Sequence, residues 1–395
     1  MITVQLKPKK EDSLQRFHPW VFSGAIQKID GTPAEGDLVE VIDSNRNFLA
    51  IGHYQIGSIA IRVVSFENVP VNNKFWSRKI QLAYALRQSL GLVNPTQNNT
   101  YRLIYGEGDS LPGLIVDIYA DTAVMQAHSI GMHETRQSLA QAIVDNVPEV
   151  KNVYYKSETT LPFKADIEPE DGYLIGKETA QLSAIENGLK FHVDWLRGQK
   201  TGFFVDQREN RSLLERYSAG KSVLNMFCYT GGFSVYALRG GAQVVHSVDS
   251  SAKAIDLTEK NVEANFPNDL RHTSFDEDAF KYLNNLHTLE QQYDLIILDP
   301  PAFAKHREAL RNALKGYKRL NAKAFSQIKP GGILFTFSCS QVVSKDQFRL
   351  AVFSAAAESK RNVRILHQLS QPADHPINIY HPEGEYLKGL VLWVE

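Results

Sequence analysis

The chain has 395 residues, more than one hydrophobic core usually serves, so we expect two or three domains. Its 43 lysines and arginines against 44 aspartates and glutamates exclude a strongly basic protein, so a nucleic-acid partner has to be met by a local patch. The two cysteines exclude a disulfide framework and a cysteine zinc site. We therefore expect a cytoplasmic protein without a metal, and we find neither a signal-peptide core nor a membrane-spanning run.

Residues 1–70 show short apolar runs separated by turn residues. The runs are 20–22, 38–42, 48–51 and 59–64. This spacing predicts a small all-β barrel. Barrels of this size are common RNA-binding appendages, although a purely structural role is the default for such a fold.

Residues 71–188 change to a mixed pattern. An amphipathic helix is predicted over 75–90, followed by strands at 101–105, 114–119 and 122–127, a helix at 132–146 and a strand at 152–155. The glycine-rich segment 106–113 joins two strands with no helix after it, so we interpret it as a turn and not as a phosphate loop. The pattern predicts a small α+β domain.

Residues 189–395 alternate strands and helices, which predicts an α/β domain with a doubly wound, Rossmann-like parallel sheet whose last strands close as an antiparallel pair. The predicted strands are 222–225, 243–248, 272–275, 293–298, 332–338, 362–369 and 386–394. The predicted helices are 233–238, 251–264, 278–289, 307–327 and 344–358.

The glycine pair Gly231-Gly232 follows the first strand of this sheet and opens a helix. The next strand ends in Asp249, at a distance that suits a carboxylate accepting from the hydroxyls of a ribose. The full pyrophosphate fingerprint is absent, which favours a nucleoside ligand without phosphates, such as S-adenosylmethionine. A turn that merely needs positive φ is the alternative for a lone glycine pair.

Two further segments follow strand ends. The acidic residues of the segment 275–280 either cap the next helix, or an Asp among them faces the crevice beside Asp249 and accepts from an adenine amino group. The segment Asp299-Pro300-Pro301-Ala302-Phe303 places a carboxylate and a stiff backbone where a planar base can be held, although an ordinary Asp-Pro turn is also open.

Cys339 stands at the end of the neighbouring strand, between two serines. Because neighbouring strands lie about 5 Å apart, its sulfur is expected to face the same pocket as Asp299. A nucleophile and a small buried apolar residue are equally open interpretations at this point.

A basic band follows the Asp-Pro-Pro segment. Residues 301–329 contain eight lysines or arginines against one acidic residue, Glu308. The basic residues recur every fourth position, which predicts a stripe suited to phosphates, with a solvated helix face as the alternative. The predicted RNA contacts are Phe303, Arg307, Arg311, Lys315, Lys318 and Arg319, with Lys323 continuing the stripe.

Several motifs in order resemble the large-subunit ribosomal RNA methyltransferase I family of bacteria, whose members use S-adenosylmethionine to make 5-methylcytosine in 23S rRNA. The resemblance covers the whole chain, including an N-terminal PUA domain. The motifs are 17–25, 104–117, 200–208, 225–233, 299–303, 337–340, 373–376 and 382–389.

The resemblance implies a role for each matching residue. It makes Cys339 the nucleophile, Asp299 the acid of the base pocket, Asp249 the ribose acid and Asp278 the adenine-side acid. Related cytosine-5 RNA methyltransferases outside this family carry a second cysteine after the proline pair, where this chain has Ala302 and Phe303. The cofactor contacts it implies are Asn225, Phe227, Tyr229, Thr230, Gly231, Gly232, Phe233, Asp249, Asp278, Asp299 and Pro300.

Two other functions remain open at this stage. A guanine N-methyltransferase would use the Asp-Pro-Pro-aromatic segment and would not need Cys339. A non-enzymatic RNA-binding assembly protein would retain the cofactor pocket without catalysis. The resemblance makes 23S rRNA the partner, and a homodimer is open as an alternative to a monomer.

Overall fold

The structure, a computed structural model, describes residues 1–162, 170–177, 184–288 and 291–395, with only the backbone of His287. The chain divides into two compact units. The first unit comprises Met1–Gly188, Val193–Val205 and Ala373–Gly384, and the second comprises Leu189–His192, Asp206–Pro372 and Glu385–Glu395. The first unit contains both smaller predicted domains and two segments from the predicted third, and the division into 1–70, 71–188 and 189–395 stays a prediction.

The first six strands form one sheet in the order β2-β6-β5-β4-β1-β3, in which only β1 and β4 pair in parallel. Val4, Val39, Val41 and Ile61 are fully buried in its core. Strands β1 and β3 were not predicted, because their apolar residues alternate with polar ones over only five positions. The elements are Ile2–Leu6 (β1), Asp12–Gln15 (α1), Trp20–Phe22 (β2), Ile26–Asp30 (β3), Leu38–Ile42 (β4), Phe48–Tyr54 (β5) and Ile59–Ser65 (β6).

The next strands form a five-stranded sheet in the order β11-β10-β9-β8-β7. The single predicted helix over 132–146 is wrong, because the chain forms two helices that meet at Thr135. At the end of the first helix, the hydroxyl of Thr135 donates to the carbonyl oxygen of Gly131 in the first turn of that helix. The elements are Asn73–Ser89 (α2), Thr100–Tyr105 (β7), Leu114–Tyr119 (β8), Thr122–Ala127 (β9), Ile130–Glu134 (α3), Arg136–Asn146 (α4), Asn152–Tyr155 (β10), Gly172–Ile175 (β11), Ala184–Glu186 (β12) and Leu189–Phe191 (β13).

The second unit contains the alternating strands and helices predicted from the sequence. The elements are Arg208–Tyr217 (α5), Ser222–Met226 (β14), Gly232–Arg239 (α6), Val244–Asp249 (β15), Ala252–Asn265 (α7), His272–Asp276 (β16), Ala279–Thr288 (α8), Tyr293–Leu298 (β17), Leu310–Gln327 (α9), Ile328–Ser338 (β18), Lys345–Glu358 (α10), Val363–Ser370 (β19) and Lys388–Val394 (β20). Residue 289 of the predicted helix 278–289 lies outside the described residues.

The sheet of the second unit has the order β16-β15-β14-β17-β18-β20-β19. Strands β14 to β18 pair in parallel, and β20 is antiparallel to both of its neighbours. The predicted parallel sheet with an antiparallel closure is therefore confirmed. The chain reverses its direction of winding between β14 and β17, and ligands of such sheets bind at the carboxyl ends of the strands at this point.

The helices of the second unit cover a core that extends along the sheet. Leu224, Ile296 and Leu334 on three adjacent strands are fully buried, and Tyr317 and Leu320 of α9 pack against them. Within the described part of the chain, no helix combines the length and the apolar character needed to cross a membrane.

Candidate active site

The turn after β14 has an unusual backbone. Phe227, Tyr229 and Gly231 have φ values of 59, 48 and 74°. A Cβ on Gly231 would lie 2.5 Å from Cγ2 of Thr258, so only glycine fits this position. The predicted glycine turn is therefore present, and its tight coil directs Gly232 into the first turn of α6.

Asp249 holds this turn in place. Its Oδ2 accepts from the backbone N–H of Tyr229 at 2.9 Å, and its Oδ1 accepts from that of Ser251 at 3.0 Å. The side chain is half-buried. A carboxylate has about four lone-pair positions, so two backbone donors leave capacity for the two hydroxyls of a ribose. The remaining acceptor positions of Asp249 fit the ribose of an adenosyl cofactor.

Helix α7 supports the turn from the other side. The Thr258 hydroxyl donates to the carbonyl oxygen of Tyr229 at 2.9 Å, and Nδ2 of Asn261 donates to that of Thr230 at 2.8 Å. The sequence analysis did not identify Thr258 and Asn261. Their separation by three residues, which places them on one face of α7, is the only sequence feature that could have indicated them. They fix the carbonyl groups of the turn and leave its N–H groups to other partners.

A chain of buried polar groups begins at Asn225 in β14. Its Nδ2 donates to Oγ of Ser234 at 2.9 Å, Ser234 contacts Ser247 at 2.6 Å, and Ser247 contacts Nε2 of His272 at 2.8 Å. Burial lowers the pKa of His272 to about 4, so its ring is neutral at pH 7. Oδ1 of Asn225 is buried and has no hydrogen-bond partner among the described residues, which fits a position beside a ligand donor.

The remaining turn residues have packing roles as well. Thr230 and Phe233 are buried, and the ring of Phe233 lies 5.7 Å from that of Phe337. Phe227 is half-buried against the main core of the second unit. Their assignment as cofactor contacts stays a prediction.

Asp278 caps a helix. Its Oδ1 accepts from the backbone N–H groups of Phe280 and Lys281, both at 3.0 Å, at the start of α8. Asp276, and not Asp278, pairs with Asp249 in the register of β15 and β16. The capping role therefore accounts for Asp278, and its contact with adenine stays a prediction.

Asp299 follows β17 and is half-buried beside the buried Pro300. The amide nitrogen of Gln207 donates to its Oδ2 at 2.9 Å, and Asn210 donates to the amide oxygen of Gln207 at 2.6 Å. Gln207 and Asn210 are both buried, so this pair orients the carboxylate. Sequence reasoning assigned no role to Gln207, although it lies in the motif 200–208.

Cys339 follows β18 and is half-buried, with its sulfur 4.0 Å from the carbonyl oxygen of Pro300. The thiol and the Asp-Pro-Pro segment therefore lie together, as the adjacency of β17 and β18 predicts. Cys228 is 6% exposed, and burial raises the pKa of its thiol well above its ordinary value. Of the two cysteines, Cys339 is therefore the more accessible.

The basic band lies on α9 and the short turn before it. Arg307, Arg311, Lys315 and Arg319 are exposed, while Ala313, Tyr317 and Leu320 face the core. Lys318 forms an ion pair of 2.6 Å with Glu358, so its charge already has a partner within the protein. Phe303 packs on Tyr317 with ring centroids 4.6 Å apart, so its ring is partly used by the protein itself.

The fold and the turn define a class of protein. A sheet of this order, with a glycine turn after its central strand and an acidic residue at the end of the next strand, fits the S-adenosylmethionine-dependent methyltransferases. The family model for S-adenosylmethionine-dependent methyltransferases matches residues 161–382, and the model for a PUA-like domain matches residues 4–66.

Two relatives and one crystal structure are similar to this chain over almost its whole length. The ribosomal RNA large subunit methyltransferase I of Alteromonas mediterranea is 40% identical over 390 residues, 98% of each chain. That of Tolumonas auensis is 40% identical over 395 residues, 99% of this chain and 98% of that protein. The crystal structure of SMU.776, described as a methyltransferase complexed with SAH, covers 100% of both chains with a TM-score of 0.86 at 25% identity.

The chain therefore belongs to the ribosomal RNA large subunit methyltransferase I family. S-adenosylmethionine is its cofactor, and the resemblance predicted from the sequence motifs is confirmed.

Proposed function

We propose that the protein transfers a methyl group from S-adenosylmethionine to carbon 5 of a cytosine in 23S rRNA, through a covalent adduct with Cys339. Relatives 40% identical to this chain bear the name ribosomal RNA large subunit methyltransferase I, which supports an rRNA substrate. The observation that carries the choice of atom is the 4.0 Å approach of the Cys339 sulfur to Pro300, the neighbour of Asp299. Cytosine-5 chemistry needs a thiol and a carboxylic acid together, whereas N-methylation does not need the thiol.

Carbon 5 of cytosine is too weak a nucleophile to react unaided. The Cys339 thiolate forms a bond to carbon 6, and the electrons of the 5,6 double bond form a double bond between carbons 4 and 5. The electrons of the 3,4 double bond move to nitrogen 3, which takes the proton of Asp299. Carbon 5 is then the nucleophilic carbon of an enamine. When bound, S-adenosylmethionine supplies an electrophilic methyl group. Transfer of the carbon 5 proton to water afterwards restores the 5,6 double bond and breaks the sulfur to carbon 6 bond. Nitrogen 3 then returns its proton to the Asp299 carboxylate.

The proposal gives supporting roles to four parts of the site. Gln207 fixes the orientation of the carboxyl group that exchanges the proton. Asp249 would accept from the ribose hydroxyls of the cofactor, and the turn from 227 to 231 would hold it. The basic residues of α9 bind phosphates of the RNA, because cations neutralise the phosphate backbone and release its counterions.

Nucleoside mass spectrometry tests the product. When 23S rRNA is incubated with the protein and isotopically labelled S-adenosylmethionine and then digested, the label is expected in 5-methylcytidine. The same rRNA incubated with labelled cofactor alone is the control. Label in a methylguanosine would replace the proposal with guanine N-methylation, and an absence of label in every nucleoside would favour a binding protein.

The basic band gives a second test. Changing Arg311, Lys315 and Arg319 together to alanine is expected to weaken RNA binding. The slope of log affinity against log salt is expected to decrease by about 0.7 for each phosphate that the variant no longer neutralises. Cofactor affinity, measured by calorimetry, is expected to stay constant.

A matched variant controls for the change in total charge. Arg216, Lys260 and Arg349 are exposed basic residues of the same unit outside the band, and their joint change to alanine removes the same three charges. If both triple variants change the salt slope equally, α9 is only a solvated face and the PUA-like sheet becomes the better candidate.

A further inference from the structure

A buried lysine lies directly beside the cysteine strand. Lys388 begins β20 and pairs with Ser338, the last residue of β18 and the neighbour of Cys339. It is 5% exposed. Its Nζ donates to the carbonyl oxygens of Ser340 and Val343, so the ammonium group holds both ends of the turn that follows Cys339.

We propose that Lys388 is a positioning residue for Cys339: its ammonium group fixes the turn over residues 340–343 and supplies the positive charge that stabilises the Cys339 thiolate. A role of Lys388 in catalysis rests on the proposed function, in which the Cys339 thiolate is the nucleophile. The stabilisation of the Cys339 thiolate by the charge of Lys388 does not depend on which base is methylated.

The cost of burying the charge argues against a purely structural role. A buried ammonium group loses its hydration, and two carbonyl oxygens satisfy two of its three N–H donors. Burial lowers the pKa of Lys388 to about 8, while the negative charges of Cys339 and Glu385 raise it. The interaction between two titrating groups is mutual. The Cys339 thiolate stabilises the charged form of Lys388, and charged Lys388 stabilises the thiolate by the same free energy.

The other titratable groups around the pair do not supply this charge. Asp299, after β17, carries no positive charge whether or not its carboxyl group is protonated. Tyr317 on α9 has its pKa raised to about 12, chiefly by burial, and stays neutral. Lys345 on α10 acts on Lys388 electrostatically, but it is half exposed and forms an ion pair with Glu385.

The test measures the thiol without RNA. The full-length protein is alkylated with iodoacetamide over a range of pH, and the rate at Cys339 is followed by mass spectrometry of its peptide, separately from that of Cys228. Lys388→Gln retains hydrogen-bond donors for the two carbonyls but removes the charge, and Lys388→Arg retains the charge. Lys345→Gln is the matched control, because it removes a neighbouring charge that is solvated and paired.

The midpoint of the alkylation profile is expected to rise by about one pH unit in Lys388→Gln, as for the loss of one close opposite charge, and to stay near wild type in Lys388→Arg and Lys345→Gln. Cofactor affinity by calorimetry shows that each variant is folded. An unchanged midpoint in Lys388→Gln, or an equal rise in Lys345→Gln, overturns the proposal. Because the profile needs neither RNA nor turnover, it can fail while 5-methylcytidine still forms, and it can succeed if another base is methylated.

Discussion

Replacement of Cys339 by alanine is expected to abolish methylation, with a loss on the order of 10⁴-fold or more in turnover, because the covalent nucleophile is removed. Binding of cofactor and RNA is expected to persist. Cys339 is half-buried at the end of β18, so the change from a thiol to a methyl group disturbs little packing. Turnover is measured by transfer of labelled methyl groups to rRNA.

A substituted substrate makes the adduct visible. RNA with 5-fluorocytosine at the target, given together with S-adenosylmethionine, is expected to trap the wild-type protein covalently, since fluorine cannot leave carbon 5 as a proton does. The adduct is detected as a slower band under denaturing conditions.

The two cysteines provide a matched pair for this experiment. Cys228→Ala is expected to be trapped as wild type is, because burial raises the pKa of the Cys228 thiol and keeps it protonated. Cys339→Ala is expected to give no covalent band. Near-normal turnover in Cys339→Ala would contradict the cytosine-5 mechanism and favour N-methylation.

The placement of the site residues could be predicted because they follow buried parallel strands. The runs that end at Asp249, Asp299 and Cys339 are apolar enough to be recognised as strands, and parallel strands bring their carboxyl ends to one edge of a sheet. The 4.0 Å contact between Cys339 and the Asp-Pro-Pro segment agrees with this reasoning. Helix α9 could be predicted for a similar reason, since its apolar residues recur at helical spacing.

Other features depend on contacts between distant parts of the chain. The pairing of β20 with β18 places Lys388 beside Cys339, and a single apolar run does not indicate which strand will be its neighbour. The same holds for the hydrogen bond from Gln207 to Asp299. The division of the predicted helix at Thr135 has a local cause, a hydroxyl group that donates to the backbone, which an apolar periodicity does not register.

An acidic residue between a strand and a helix, such as Asp278, is compatible with two interpretations, a helix cap and a contact with adenine. A carboxylate before a helix accepts from the free N–H groups of the first turn whatever else it does. Asp249 differs, because its two backbone partners belong to two separate turns and its carboxylate is shared between them. The turn over residues 227–231 therefore depends on Asp249 for its shape, and the contact of Asp249 with the ribose is a proposal.

Asp249→Ala is expected to weaken binding of S-adenosylmethionine by about 1–3 kcal/mol, roughly 5- to 150-fold in the dissociation constant, because hydrogen bonds to a charged group are removed. Part of the effect is direct, through the ribose hydroxyls, and part comes from releasing the N–H groups of Tyr229 and Ser251. Calorimetry measures the affinity. Asp276→Ala is the matched control, since Asp276 pairs with Asp249 in the sheet but is exposed, and it is expected to bind as wild type does. Unchanged affinity in a folded Asp249→Ala protein would place the cofactor away from this turn.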